Sequence, residues 1–166
     1  MEFKLRPWHT NDLIDLVHFA NNPRIANNLT DAFPHPYTEQ DGIEFINMAT
    51  NDRPTLIFAI EVDGKAAGGI GLHQQTDLKK RNMELGYWLA DIHWGKGIMS
   101  AAVKEMVEYG FKTFKINRIY ARPFGTNMGS QRVLQKAGFT LEGTFEKALY
   151  KKGEYIDELI YAVRKA

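Results

Sequence analysis

The sequence predicts an α+β domain, a mixed sheet with helices on its faces, and three observations carry that prediction. Short β-branched and aromatic runs alternate with helix-periodic segments in the order β-α-α-β-β-β-α-β-α-β-β. Asp63-Gly64 joins two apolar runs, the strongest short hairpin signal. Ala102 with Met106, and Val103 with Val107 and Phe111, draw one apolar stripe at helical spacing.

The elements follow in order. "FKLRPW" alternates Phe3 and Leu5 and reads as a strand ended by Pro7. Thr10 can cap a helix whose first turn holds Asn11 and Asp12, with Leu13, Leu16, Val17 and Ala20 facing inward. Pro23 follows its end, and "LTDAFPHPY" reads as irregular. A second helix starts at Thr38, with Ile43, Phe45 and Ile46 as its apolar side. "TLIFAIEV" and "KAAGGIGLH" form the hairpin, and "NMELGYWLA" is a third strand. A helix then runs from about Gly95 to Lys112, followed by the strand "INRIYARPF". "NMGSQRVLQKAGF" is a short helix from near Asn127, closed by Gly138 at its C′ position. "TLEGTFEKALY" and "EYIDELIYAVRK" make a terminal hairpin around Lys152-Gly153.

The chain has 166 residues, which suits one domain over 1–166. Apolar residues make up 44% and charged residues 25%, enough for a packed core. A net charge of +1 argues against a broad surface for nucleic acid or anionic membrane. The absence of cysteine removes disulfides, a thiol nucleophile and thiolate metal sites. "MEFKLRPWHT" has no apolar signal region, and no apolar run approaches the ~18 residues of a membrane span. These features predict a cytoplasmic protein with neither membrane nor nucleic-acid partner. His9, His18, His35, His73 and His93 form no close ligand pair, so no metal site is expected.

The stretch "HWGKGIMSAAVKEM" places a glycine turn directly before a helix. A helix start offers unpaired N–H groups and a partial positive charge, which suits a phosphate. A dinucleotide fingerprint fails, because Ser100 stands at its third glycine place, and no P-loop pattern exists. A plain turn with an exposed lysine is the alternative on spacing alone. Gly68, Gly69 and Gly71 lie within a strand, where close backbone approach is the usual meaning.

"LGYWLADIHWGKGIMSAAVKEMVEYGF" followed by "INRIYARPFGTNMGSQRVLQKAGFTLEG" resembles the GNAT superfamily of acetyl-CoA-dependent N-acetyltransferases. Within it, the chain resembles the RimJ/RimL-type group, which includes ribosomal-protein N-terminal and some small-amine acetyltransferases. The likeness runs from "LRPW" to "YIDELIYAV", and the joint spacing of W-G-K-G, N-x-x-S-x-R-V-L and K-A-G-F makes it specific. It implies a mostly antiparallel central sheet with helices on both faces.

The resemblance also implies the site. Trp94, Gly95, Lys96, Gly97, Ile98, Met99 and Ser100 match the turn that holds the coenzyme A pyrophosphate. The family's frequent Arg or Gln before this turn is Ile92 here. Trp88, Leu89 and Ala90 match the strand that pairs with the pantetheine arm, where a backbone N–H would polarise the thioester carbonyl. Asn127 and Ser130 match residues on the pantetheine arm, Ser130 near the coenzyme sulfur. Asn127 also reads as a helix N-cap, which does not exclude the coenzyme role, and Ser130 as a packing residue. The tyrosine that many relatives use as acid is replaced by Leu134, which leaves leaving-group assistance to Ser130 or water.

An alkyl ammonium must lose a proton before it attacks, so a base is needed. Glu84, on the strand where parts of the superfamily place theirs, is the first candidate; Glu39, Glu142 and Glu146 rank behind it. Some RimL-like enzymes carry a glutamate at the place of Leu149. Phe33, His35 and Tyr37 lie in the loop that walls the acceptor site in relatives. The expectation is acetyl transfer from acetyl-CoA to a primary amine, on a peptide N-terminus or a small molecule, by direct attack through a tetrahedral intermediate. The alternative is a non-catalytic coenzyme-A-binding or ribosome-associated module. A homodimer is compatible with the resemblance.

Overall fold

The computed structural model describes residues 2–166. Its elements are β1 (Lys4–Pro7), α1 (Leu13–Ala20), α2 (Pro23–Ala26), α3 (Glu39–Ala49), β2 (Ile57–Val62), β3 (Lys65–Gln74) and β4 (Asn82–Leu89). They continue with α4 (Ile98–Thr113), β5 (Arg118–Ala121), α5 (Met128–Lys136), β6 (Thr140–Lys151) and β7 (Glu154–Arg164). The strands order as β1-β2-β3-β4-β5-β7-β6 in one seven-stranded sheet. β4 and β5 pair in parallel, while β1–β2, β2–β3, β5–β7 and β6–β7 are antiparallel. The α+β, mostly antiparallel architecture is therefore the one expected.

Local chemistry explains most boundaries. Thr38 caps α3 through a reciprocal box with Asp41. Asn127 accepts from the Ser130 N–H and caps α5. Asp63-Gly64 and Lys152-Gly153 turn their hairpins with positive φ at both residues. Gly138 ends α5 at φ 91°.

Four expectations need correction. Thr10 is not the cap of a long first helix: Thr10–Asp12 is a 3-10 turn with His9 at its N-cap, and α1 begins at Leu13. The sequence reading assigns no element to Pro23–Ala26, yet these residues form helix α2: Asn22 caps it and Pro23 starts it, the usual asymmetry of helix starts. α4 starts at Ile98 rather than near Gly95, because both turn glycines hold positive φ. Ile43 is exposed, and α3 instead turns Phe45, Ile46 and Ala49 inward.

The chain forms two compact units. The first comprises Met1–Gly71 with Gly86–Ala102, the second Leu72–Leu85 with Val103–Ala166. The core of the first gathers Trp8, Leu16, Ala20, Tyr37, Ile46 and Trp88. Trp8 meets Phe45 edge-on at 5.2 Å between ring centroids. Gly68 and Gly69 are obligatory here: a Cβ would come 2.5 Å from the Trp88 carbonyl and 2.8 Å from its indole nitrogen, respectively.

The second unit divides its sheet by face. A Cβ on Gly110 of α4 would touch Leu72 and Ile119, and Met83 sits opposite Ile119, so these residues face the helix. Gln135 of α5 bonds the Tyr161 hydroxyl, and Tyr161 sits opposite Ala121 on that same face. Side chains alternate along a strand. Glu84 and Tyr120, register partners, therefore project from the other face. β6 lies at the sheet edge, where two bulges and the positive φ of Lys147 break up its ladder.

Candidate active site

In the first unit the coenzyme-matching residues gather at the end of β4. Trp88, Leu89 and Ala90 are buried. The Ala90 N–H donates to the Ala67 carbonyl at 2.8 Å, so it belongs to the β3 side of the strand. Alternation turns the Leu89 backbone to the opposite edge. The Leu89 carbonyl there accepts from the Trp94 indole N–H at 2.8 Å. Of the two groups, this leaves the Leu89 N–H as the donor suited to a developing oxyanion.

Beyond Trp94 the chain turns through Gly95 at φ 74° and Gly97 at φ 79°, with nothing within 4 Å of where either Cβ would stand. Such a turn aims consecutive N–H groups to one side and leaves room for a large anion. α4 follows, and its backbone first bonds back when Ala101 N–H reaches the Gly97 carbonyl. The N–H groups of Ile98, Met99 and Ser100 lie in that first turn. Ile98 and Met99 are buried, so their backbone and not their side chains is what they can present. Lys96 is exposed at the turn. His93 is buried just before it, with Nδ1 lacking a partner. Burial, then Lys96, pushes its pKa down against a smaller opposing pull from Asp63. In the same unit Phe33 packs against Tyr37 and Trp88, at 5.3 and 6.0 Å between centroids. Burial pushes the Tyr37 hydroxyl up to about 12.

In the second unit Glu84 stands half-buried on β4. Arg122 grips it, Nε to Oε1 at 2.6 Å and Nη2 to Oε2 at 3.2 Å. Glu158 approaches the same guanidinium at 3.9 Å. The bond to Glu84 outweighs burial and raises the Arg122 pKa further. Burial, then Glu84, pushes the Tyr120 hydroxyl up. Arg118 stacks on Tyr120 at 4.7 Å and bonds Glu142, which also pairs with Arg164 at 2.5 Å. These bonds, Arg118 first, hold the Glu142 carboxyl below the ordinary range. Glu142 is thus tied into a charge ladder, a poor arrangement for a second base.

Asn127 and Ser130 come together through the cap bond at 3.1 Å, and Ser130 is half-buried. Leu134, at the place of the relatives' tyrosine, is fully buried. Four residues escaped the sequence reading: Arg122 and Glu158 around Glu84, and Arg24 and Asp91 around Trp94. Arg122 carried one usable signal, since Arg118, Tyr120 and Arg122 share a period of two. Among the described residues no three His, Asp or Glu side chains form a metal-binding group. No helix there is long and apolar enough to cross a membrane.

The acetyltransferase (GNAT) domain profile matches residues 2–140. The N-acetyltransferase YnaD of Bacillus subtilis, itself uncharacterized, is 31% identical over 98% of this chain and 90% of its own length. The spermidine N(1)-acetyltransferase of Escherichia coli is 26% identical over 92% of this chain and 80% of its own. The structure of a RimL ribosomal alpha-N-protein acetyltransferase in complex with coenzyme A superimposes with a TM-score of 0.85 at 21% identity, covering 98% of this chain and 93% of that one. The chain belongs to the GNAT acetyltransferase family.

Proposed function

We propose that this protein transfers acetyl from acetyl-CoA to a primary amine, on a peptide N-terminus or a small molecule, by direct attack. The observation that carries the reading is the turn at Gly95 and Gly97, two positive-φ glycines opening onto the N-terminus of α4 at the end of β4. The N–H groups of Gly95 to Ser100 would hold the coenzyme's diphosphate, with Lys96 adding charge. Trp88 to Ala90 would line the pantetheine arm, and the Leu89 N–H would face the thioester carbonyl. The coenzyme supplies an activated acetyl group as a thioester.

The chain's own residues then do two things. Glu84 takes the proton from the acceptor ammonium, directly or through water, once Arg122 yields one carboxylate oxygen. The amine nitrogen would then form its bond to the acetyl carbon, giving a tetrahedral oxyanion whose collapse breaks the carbon–sulfur bond, while the extra proton on nitrogen passes through water to the departing thiolate. Ser130 donates a hydrogen bond to the departing sulfur, whose thiol pKa near ~8.5, by analogy with cysteine, needs modest help at neutral pH. No acyl-enzyme is expected, since cysteine is absent and no Ser-His pair is evident in the sequence.

The test is thiol release from acetyl-CoA across a panel of amines and peptides. Release with at least one acceptor supports the reading. Coenzyme binding without release for any acceptor would make the protein a binding module instead. The turn is checked by Gly97→Val. A β-branched residue at positive φ is strained, and a penalty of ~1–2 kcal/mol predicts roughly tenfold weaker coenzyme A binding in calorimetry. Unchanged affinity in a folded variant would move the coenzyme elsewhere.

A further inference from the structure

The glycine turn has an unusual weakness. Both its glycines are exposed, hold positive φ and have open space around them. Glycine loses more conformational freedom on ordering than any other residue, so a turn built this way binds tightly only if something else holds it in place.

One residue of α2 stands where it can do so. The Arg24 guanidinium lies 4.9 Å over the Trp94 ring and donates through Nη1 to Asp91 Oδ2 at 3.0 Å. The Asp91 carbonyl accepts from the Trp94 backbone N–H at 3.1 Å. The Trp94 indole N–H in turn reaches the Leu89 carbonyl at 2.8 Å. These contacts close a ring of interactions around the residue that leads into Gly95. Arg24 is itself anchored: Asn22 accepts from its N–H at 2.9 Å, and Asn28 donates to its carbonyl at 3.1 Å. A half-exposed indole next to two glycines would otherwise sample several rotamers.

We propose that Arg24 is a positioning residue for the coenzyme-binding turn, clamping Trp94 between its guanidinium and the Leu89 carbonyl so that the Gly95–Ser100 backbone is ordered before the coenzyme arrives. The inference rests on the reading of that turn as the coenzyme site. Arg24 acts on the turn through Trp94. It also ties α2, the element just before the Phe33–Tyr37 loop, to the turn.

The test measures coenzyme A affinity by calorimetry and the KM values of both substrates. The variants are Arg24→Met, Arg24→Lys, Trp94→Leu and the double Arg24→Met/Trp94→Leu. Arg24 is largely exposed, so the fold should tolerate its loss. An exposed cation–π contact and ion pair together predict about 3- to 10-fold weaker binding for Arg24→Met. The acetyl-CoA KM should rise by a similar factor while kcat and the acceptor KM hold. Arg24→Lys should fall between wild type and Arg24→Met. Because Arg24 works through Trp94, the double variant should bind no worse than the weaker single one. Unchanged affinity in Arg24→Met overturns the proposal, and so does a double variant whose loss equals the product of the single losses. Absence of coenzyme A binding in the unaltered protein would instead overturn the assignment of the turn.

Discussion

Each unit of this protein contains one arginine flanked by two carboxylates, and the two clusters are built for different ends. In the first unit Arg6 binds Asp12 with both terminal nitrogens at 2.8 Å and also binds Glu61. The Arg6 and Asp12 side chains are 14% and 9% exposed. Asp12 further accepts the His9 N–H at 2.8 Å and so caps the turn that leads into α1. In the second unit Arg122 binds Glu84 and approaches Glu158, but its side chain is 46% exposed. The same three charges thus make a sealed staple in one place and an open clasp in the other. Burial decides the difference. A sealed pair cannot lose a partner without stranding a charge, whereas an exposed guanidinium can yield a carboxylate oxygen to water or to a substrate at little cost. The proton-acceptor role proposed for Glu84 needs the second kind.

The sharpest way to break this comparison is Glu84→Gln. Loss of a general base predicts a fall in kcat of about 10²–10⁴, with coenzyme binding kept and thermal stability nearly unchanged. Wild-type turnover across the pH range would remove Glu84 from the mechanism and leave the clasp structural.

Asp12→Asn should do the opposite. Breaking a buried pair costs ~3 kcal/mol, which lowers Tm by roughly 6–12 °C in a protein of this size. Turnover per folded molecule should be unchanged. A calorimetric scan showing no loss would mean that Arg6 is held by Glu61 alone.

Ser130→Ala asks what a neutral donor adds in the unit that carries the clasp. One lost hydrogen bond to a developing charge predicts a drop of about 10–100-fold in kcat, with a smaller change in coenzyme affinity. An unaltered kcat would leave Ser130 as the packing residue after the Asn127 cap.

The smallest effect is in acid. Burial opposes the charge on Asp12, but the bonds from Arg6 and the His9 N–H outweigh it and hold its carboxyl below the usual carboxylate range. A carboxyl depressed in the folded state stabilises the protein above the unfolded value near ~3.9, and that share disappears as pH falls through the lower folded value. The stability lost below about pH 4 should therefore be smaller in Asp12→Asn than in the unaltered protein. Parallel acid limbs in urea titrations of the two would contradict the sealed reading of the cluster.

The sequence by itself determined what neighbouring residues can decide together. Thr38 with Asp41, Asn127 with Ser130, and Asp63 with Gly64 act over three residues or fewer, and each formed the cap or turn expected of it. Asn22-Pro23 carries the same kind of local information, and α2 was legible there although the sequence reading assigns it no element. The turn glycines, the element order and the family motifs belong to this class, because backbone conformation is set by adjacent side chains and by the freedom of glycine. What surrounds each candidate residue was decided by the tertiary structure. Arg122 meets Glu84 across 38 residues, Arg6 meets Glu61 across 55, and Arg24 meets Asp91 across 67. Those meetings depend on strand order and on register, where a shift of one residue turns every side chain to the other face. No local pattern records that register, so Glu84 could be named from the sequence while the arginine that holds it could not.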